Sequence, residues 1–248
     1  MNMGVFGEPM ALRYLVWLIQ GFGMTLLLSL AVMIAATALG VAVCALRLSG
    51  RRPLVAVARG YISVIRNTPL LVQLFFWYFG ASALMPTGLM VWLNTPHGID
   101  LAFLSLPWPA FETFVGFFGL TLYAGAYVAE EFRAGIGGVG EGQREAAMAL
   151  GLSPLLVFWL VVLPQAVRIA WLPTVGQYLS TIKNTSLTMA IGVAELSYAS
   201  RQVETETFLT FQAFGVATIL YVGAVVVTEA AGHAVARSRR FAWGDRHP

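Results

Sequence analysis

Glu145-Ala146-Ala147-Met148-Ala149-Leu150-Gly151-Leu152-Ser153-Pro154, continued by Leu155-Leu156-Val157-Phe158-Trp159-Leu160-Val161-Val162-Leu163-Pro164, is a partly polar insert between stretches that are otherwise almost free of charge. Residues 145–150 are mostly strong helix formers, and Gly151 lets such a helix end on a left-handed cap. Ser153-Pro154 restarts a second helical piece, which Pro164 is expected to end or kink. The small pair Ala146 and Ala147 leaves one side of the first helix nearly flat. A partner's groove can therefore approach its backbone, and Arg144 and Glu145 offer charge to that partner.

Outward from this insert the chain reads as membrane. Of its 248 residues, 58% are hydrophobic and 11% charged, and mean hydropathy is +0.75, values that set it apart from an ordinary soluble domain. Tyr14 to Leu46 carries no charge over 33 residues, about 50 Å of helix against a bilayer core of about 30 Å. The pair Gly21 and Gly23 offers a break, so a surface-lying piece is expected before them and a first span over about 24–46. Arg47, Arg51, Arg52 and Arg59 follow and mark the cytoplasmic side, which puts the N-terminus outside. Further spans are expected at about 61–80, 112–133, 169–194 and 208–231, with Arg237, Arg239 and Arg240 inside. Residues 81–110 hold no Lys or Arg and several Pro and Gly, as an external loop would. Residues 195–206 read as a charged outer connection. The whole is one all-α transmembrane domain of five helices, with the segment 141–164 in the cytoplasm. Met1–Pro9 lacks the basic start of a cleavable signal.

The spacing Glu-Ala-Ala, three residues, Gly, nine residues, Val161, one residue, Leu163-Pro164 resembles the EAA loop of ATP-binding-cassette (ABC) importer permeases, with Val161 in place of Ile. Arg66-Asn67-Thr68-Pro69-Leu-Leu-Val-Gln73 and Lys183-Asn184-Thr185-Ser186-Leu187 are similar to runs of the polar amino-acid permeases of that superfamily, the histidine, glutamate and glutamine type. The long 81–110 loop and the Lys-Asn-Thr-Ser run look most like the glutamate/aspartate members. The resemblance implies the type I importer (MetI-like) permease fold in a bacterial inner membrane. It implies that Arg144, Glu145, Ala146, Ala147, Gly151, Leu163 and Pro164 belong to a coupling element docked on a dimer of ATPase subunits. It also implies an extracytoplasmic amino-acid-binding protein and a second permease subunit, identical or not. Arg66, Asn67, Thr68, Gln73, Lys183, Asn184, Thr185 and Ser186 would line the substrate pathway.

Other chemistries find little support in the residues. The single lysine is Lys183, preceded by none of the glycines of a phosphate-binding loop, so ATP and its magnesium belong to a partner chain and no cofactor is expected in this one. His97, His233 and His247 are scattered without metal-ligand spacing, the lone Cys44 excludes an internal disulfide, and no nucleic-acid partner is implied. An ion-coupled secondary carrier would call for more spans and membrane-embedded carboxylates, for which Glu229 is the one candidate.

Lys183 has 14 uncharged residues before it and 11 after it within 169–194, a placement costing about 2.5–3.5 kcal/mol unless something repays it. It anchors an anionic group in a cavity, helped by Asn184, Thr185 and Ser186, or it is a structural partner of Glu130, Glu131 or a carbonyl freed by Pro173. Arg66 is open between a ligand role and a topological one. Gln73, one turn beyond Pro69, is expected to face the same cavity as the carbonyls that the proline frees.

Overall fold

The computed structural model describes residues 10–95, 98–101, 104–107 and 109–238. Met1–Pro9, His97, Arg239, Arg240 and His247, on which some of the sequence reading fell, lie outside them. The helices are α1 (Leu12–Leu48), α2 (Arg52–Arg66), α3 (Leu70–Phe75), α4 (Thr87–Asn94), α5 (Phe111–Gly137), α6 (Glu141–Ala149), α7 (Pro154–Val157), α8 (Leu163–Asn184), α9 (Leu196–Thr207) and α10 (Thr210–Arg237). A short antiparallel pair, β1 (Gly98–Leu101) and β2 (Leu104–Pro107), precedes α5. Four helical stretches are long and apolar enough to cross a membrane, namely Leu12–Leu48, Phe111–Gly137, Pro154–Ile191 and Thr210–Arg237, and Leu70–Gly80 is a shorter apolar one. Their outward faces carry Leu27, Ile34, Phe79, Ile219 and Val227, each more than 60% exposed, as lipid contact permits.

Three local expectations are corrected by the structure. Helix α1 is unbroken through Gly21 and Gly23, so there is no separate surface-lying piece. Its buried positions, 14, 18, 21, 25, 28, 29, 32, 36, 40, 43 and 44, advance by three or four residues at a time, with 29 and 44 widening the stripe, and form one seam along the helix. On that seam a Cβ at Gly21 would stand 3.0 Å from the Glu195 carbonyl oxygen, so the glycine serves close approach rather than a break. The stretch 61–80 is not one rod: α2 ends at Arg66 and α3 begins at Leu70, with Thr68 held out of the helical region by Pro69. Nor does Pro164 end its helix. Phe158–Val162 open into a wide π-helical turn that includes Leu160, whose carbonyl the proline ring would otherwise strike, and α8 then runs to Asn184.

The chain divides into two compact units. The first holds residues 1–32, 68–121 and 182–222, the second 33–67, 122–181 and 223–248. In the first, Tyr14 and Leu18 of α1 pack with Leu196, Ala199 and Val203 of α9 and with Ala213 and Ala217 of α10. Gly119 of α5 meets Leu74 and Trp77, and α3 lies beside the 3-10 turn Thr185–Ile191 that follows α8. In the second, Val43, Ala58, Ile62 and Ala129 join α1, α2 and α5, and half-buried Glu130 binds both Arg47 and Arg133. A separate core of Val139, Ala147, Val157, Val162 and Ala166 fixes α6 and α7 against the start of α8.

Candidate functional site

Helix α6 is short and closed at its end by backbone geometry. Gly151, at φ +84°, donates its N–H to the Met148 carbonyl at 2.9 Å, and Leu152 donates to Ala147 at 3.3 Å, the paired bonds of a Schellman cap. Ser153 then accepts from the Leu156 N–H, and Pro154 opens α7. The alanine pair divides its labour: Ala147 is buried in the local core, while Ala146 stays exposed beside Glu145, Met148 and Leu150. Arg144 does not project with Glu145; its Nη2 turns back to the Ile136 carbonyl at the end of α5, 2.9 Å away. Leu163 is half-buried and Pro164 exposed, both just past the π-helical turn. The result is a knob held from behind by its local core, with a small, mixed apolar and acidic outer face.

The expected pathway residues fall into two sets. Arg66 ends α2 with its guanidinium carbon 4.9 Å from the Tyr127 ring centre, a cation–π contact, and Asn67 caps the helix by donating Nδ2 to the Ser63 carbonyl at 2.7 Å. These belong to the second unit. Thr68 and Gln73 belong to the first, where Gln73 is 6% exposed and donates Nε2 to the Thr68 carbonyl at 2.9 Å. Gln73 therefore braces the bend at Pro69 instead of presenting its amide to an open cavity, because burying that amide requires a partner and Thr68 supplies it.

Lys183 is the penultimate residue of α8, not the centre of a straight span, and its side chain is exposed. The helix stops there because Thr185 and Ser186 donate their hydroxyls three residues back, to Ile182 and Lys183, and the backbone tightens into the 3-10 turn closed by Gly192 at φ +93°. Those two hydroxyl protons are committed, and Asn184 is half-buried beside them. The two carboxylates considered as structural partners of Lys183 are engaged elsewhere: Glu130 by Arg47 and Arg133, and Glu131 by the Gln177 amide at 3.1 Å. Among the described residues no carboxylate pairs with Lys183.

Glu195 was read as part of a charged outer connection and is instead fully buried. It caps α9 by accepting from the Tyr198 N–H at 2.9 Å, and its other oxygen accepts from the Tyr221 hydroxyl at 2.5 Å and the Thr25 hydroxyl at 3.4 Å. Thr25 Oγ1 also accepts from the Leu196 N–H at 3.1 Å, so one carboxylate ties α1, α9 and α10 together. Burial pushes the Glu195 carboxyl above the ordinary range, against the hydrogen bonds from Tyr221 and the backbone that pull it down. The available signal was an acid enclosed by Val193, Ala194 and Leu196, and a threonine in the charge-free run 14–46.

Comparison with known proteins agrees with this architecture. The "Probable amino-acid ABC transporter permease protein PatM" of Vibrio harveyi is 38% identical over 167 residues, 67% of this chain and 66% of that one. The "Probable glutamine ABC transporter permease protein GlnM" of Bacillus subtilis is 32% identical across 82% of this chain and 83% of its own length. The "Glutamate/aspartate import permease protein GltJ" of Escherichia coli is 28% identical across 89% and 87%. A crystal structure of an amino acid ABC transporter with histidines superposes with a TM-score of 0.77 at 26% identity, covering 91% of this chain and 95% of that one. The inward-facing MetNI methionine ABC transporter shares the fold, with a TM-score of 0.72 at 16% identity over 92% and 98%. Residues 36–240, which include α6 with its cap, the π-helical turn and the Lys183 turn, match one family along their whole length, and the chain belongs to the binding-protein-dependent transport system inner membrane components.

Proposed function

We propose that this chain is the membrane-spanning permease subunit of an ATP-driven importer of polar amino acids, with glutamate or aspartate as the substrate. It works beside a second permease subunit, receives its cargo from an extracytoplasmic binding protein, and docks α6 on a dimer of ATPase subunits. The observation that carries the coupling is the construction of α6: an exposed face of Glu145, Ala146, Met148 and Leu150 on a helix locked from behind by Ala147 and its core. A rigid knob transmits the closure of its partner, whereas a loop would absorb it. The substrate reading rests on Lys183, a cation without a carboxylate partner among the described residues, at the end of α8 just before the 3-10 turn that lies beside α3. Exposure of a charge to hydrocarbon is costly, so its surroundings are a polar pathway, and an anionic group is its natural ligand. The relatives' names span glutamine and glutamate/aspartate, and every such substrate carries an α-carboxylate.

The test is ATPase activity of the reconstituted complex with its binding protein, read against a panel of amino acids. Glutamate and aspartate should stimulate most; a larger response to glutamine, histidine, arginine or cystine reassigns the substrate within the family. Glu145→Lys and Gly151→Asp should insert normally and lose ATPase assembly or stimulation, because a reversed charge or a bulky one spoils docking into the ATPase groove, and at Gly151 the φ of +84° is one that L side chains rarely adopt. Normal transport by both variants removes 145–164 from the coupling role.

A further inference from the structure

Two cavities of the second unit meet behind α6. One, about 520 Å³, runs between α1 and α8 from Thr37 and Tyr178 down to Leu48 and Trp159. The other, also about 520 Å³, continues from Leu48 and Ala45 to Met148 and Arg144 of α6. They share Ala45, Leu48, Ile136 and Phe158, so they form one trough. In the cavity between α1 and α8 the polar groups of Thr37, Tyr178 and Trp171 are already hydrogen-bonded. The Thr37 and Tyr178 hydroxyls bond each other at 2.7 Å, and Trp171 donates Nε1 to the Gly232 carbonyl at 2.9 Å. An apolar cavity of this kind suits hydrocarbon rather than water.

Its polarity is ordered along α1. The α1 residues from Thr37 to Leu48 cover about 16 Å of helix rise, close to one leaflet of a bilayer core of about 30 Å. At the Leu48 end stand Arg144 and, beyond the Gly50 turn, the exposed pair Arg51 and Arg52. Of the five N–H donors of Arg144, one is taken by Ile136; its Nε is buried and meets no acceptor among the described residues, and no carboxylate pairs with the group. An apolar slot one leaflet deep that ends on an unneutralised guanidinium matches a chain with an anionic head, since basic pockets between helices on the cytoplasmic side recognise such lipids.

We propose that the trough is a site for an anionic glycerophospholipid, whose acyl chain lies between α1 and α8 and whose phosphate rests on Arg144 at the back of α6. The inference rests on the reading that α6 faces the cytoplasm at the membrane surface. It places the lipid in contact with the helix that meets the ATPase, so membrane charge would bias how firmly that helix is held.

The experiment is native mass spectrometry of the intact permease–ATPase complex, released from mixed micelles holding equal amounts of phosphatidylglycerol and phosphatidylcholine with identical acyl chains. The complex should retain phosphatidylglycerol in preference. Arg144→Gln should weaken that retention about five-fold and leave phosphatidylcholine unchanged, while Arg144→Lys keeps the preference. Ala45→Phe, which plugs the junction of the two cavities, should lower retention of both lipids. Equal retention of the two lipids by the unaltered complex overturns the proposal, as does an undiminished preference in Arg144→Gln. Should Arg144→Gln fail to assemble, undiminished retention in Ala45→Phe overturns it alone. Lipid retention is read without turnover, so its failure is distinct from loss of ATPase assembly in Glu145→Lys, which tests the coupling role.

Discussion

Substituting alanine at Gly21 and, separately, at Gly23 distinguishes a glycine used for close packing from one used to break a helix. An added Cβ at residue 21 would lie 2.8 Å from the Ala199 Cβ, 3.0 Å from the Glu195 carbonyl oxygen and 3.1 Å from its carbon. None of these atoms can rotate away, so α1 has to shift off α9, carrying Thr25 away from Glu195. Overpacking of this kind costs about 1–3 kcal/mol. At Gly23 the same Cβ meets nothing within 4 Å, so that substitution keeps only the gain in helix propensity, which is common to both sites. The difference between the two variants is therefore the packing cost alone. For a chain of this size about 1–3 kcal/mol corresponds to roughly 2–12 °C in Tm, readable by thermal unfolding of the purified permease in detergent. Gly21→Ala should melt lower than Gly23→Ala by that amount, and Ala199→Gly should recover part of the loss. Equal shifts in the two variants would refute the seam through Gly21 and return the pair to its reading as a helix break.

Lys183→Met keeps the length of the side chain and removes its charge; it should leave Tm and basal ATPase unaltered and weaken amino-acid binding to the membrane domain roughly ten- to hundred-fold, as a lost charge-assisted bond of about 1.5–3 kcal/mol implies. Unchanged affinity with a lowered Tm, by calorimetry alongside melting, would make it a structural lysine. Because the folded state holds the Glu195 carboxyl above its ordinary value near 4.3, the neutral form is the one the fold favours. Its stabilising contribution is complete below that value and is lost as pH rises through the raised one, so Glu195→Gln should flatten the fall of Tm with pH over that window. A cysteine at Ser82, with Cys44 replaced by serine, should react with an impermeant thiol reagent from the outer side of intact cells; reaction only after the inner face is opened would invert the topology.

The class of the protein was legible in its residues. A charge-poor chain punctuated by arginine clusters specifies helices in lipid, since only hydrogen-bonded helices satisfy a backbone there, and the spacing from Glu145 to Pro164 pointed to the permease family that residues 36–240 match. Backbone chemistry local to a few residues also carried through: Gly151 does adopt the left-handed cap, and Ser153-Pro154 does restart a helix. What the residues did not disclose is which atoms meet across the fold. Gly21 reads as flexible until Glu195 and Ala199 of α9 stand against it, and Glu195 reads as an outer charge until Thr25 and Tyr221 converge on it. Gln73, Thr185 and Ser186 carry polar groups that look available to a ligand, yet each donates to a backbone carbonyl within five residues. Local propensity and charge depend on near neighbours in the chain and are therefore written in order along it. The partner of a buried polar group or of a bare glycine is chosen by helices 170 or more residues away, as with Thr25 and Glu195 (170), and only their packing decides it.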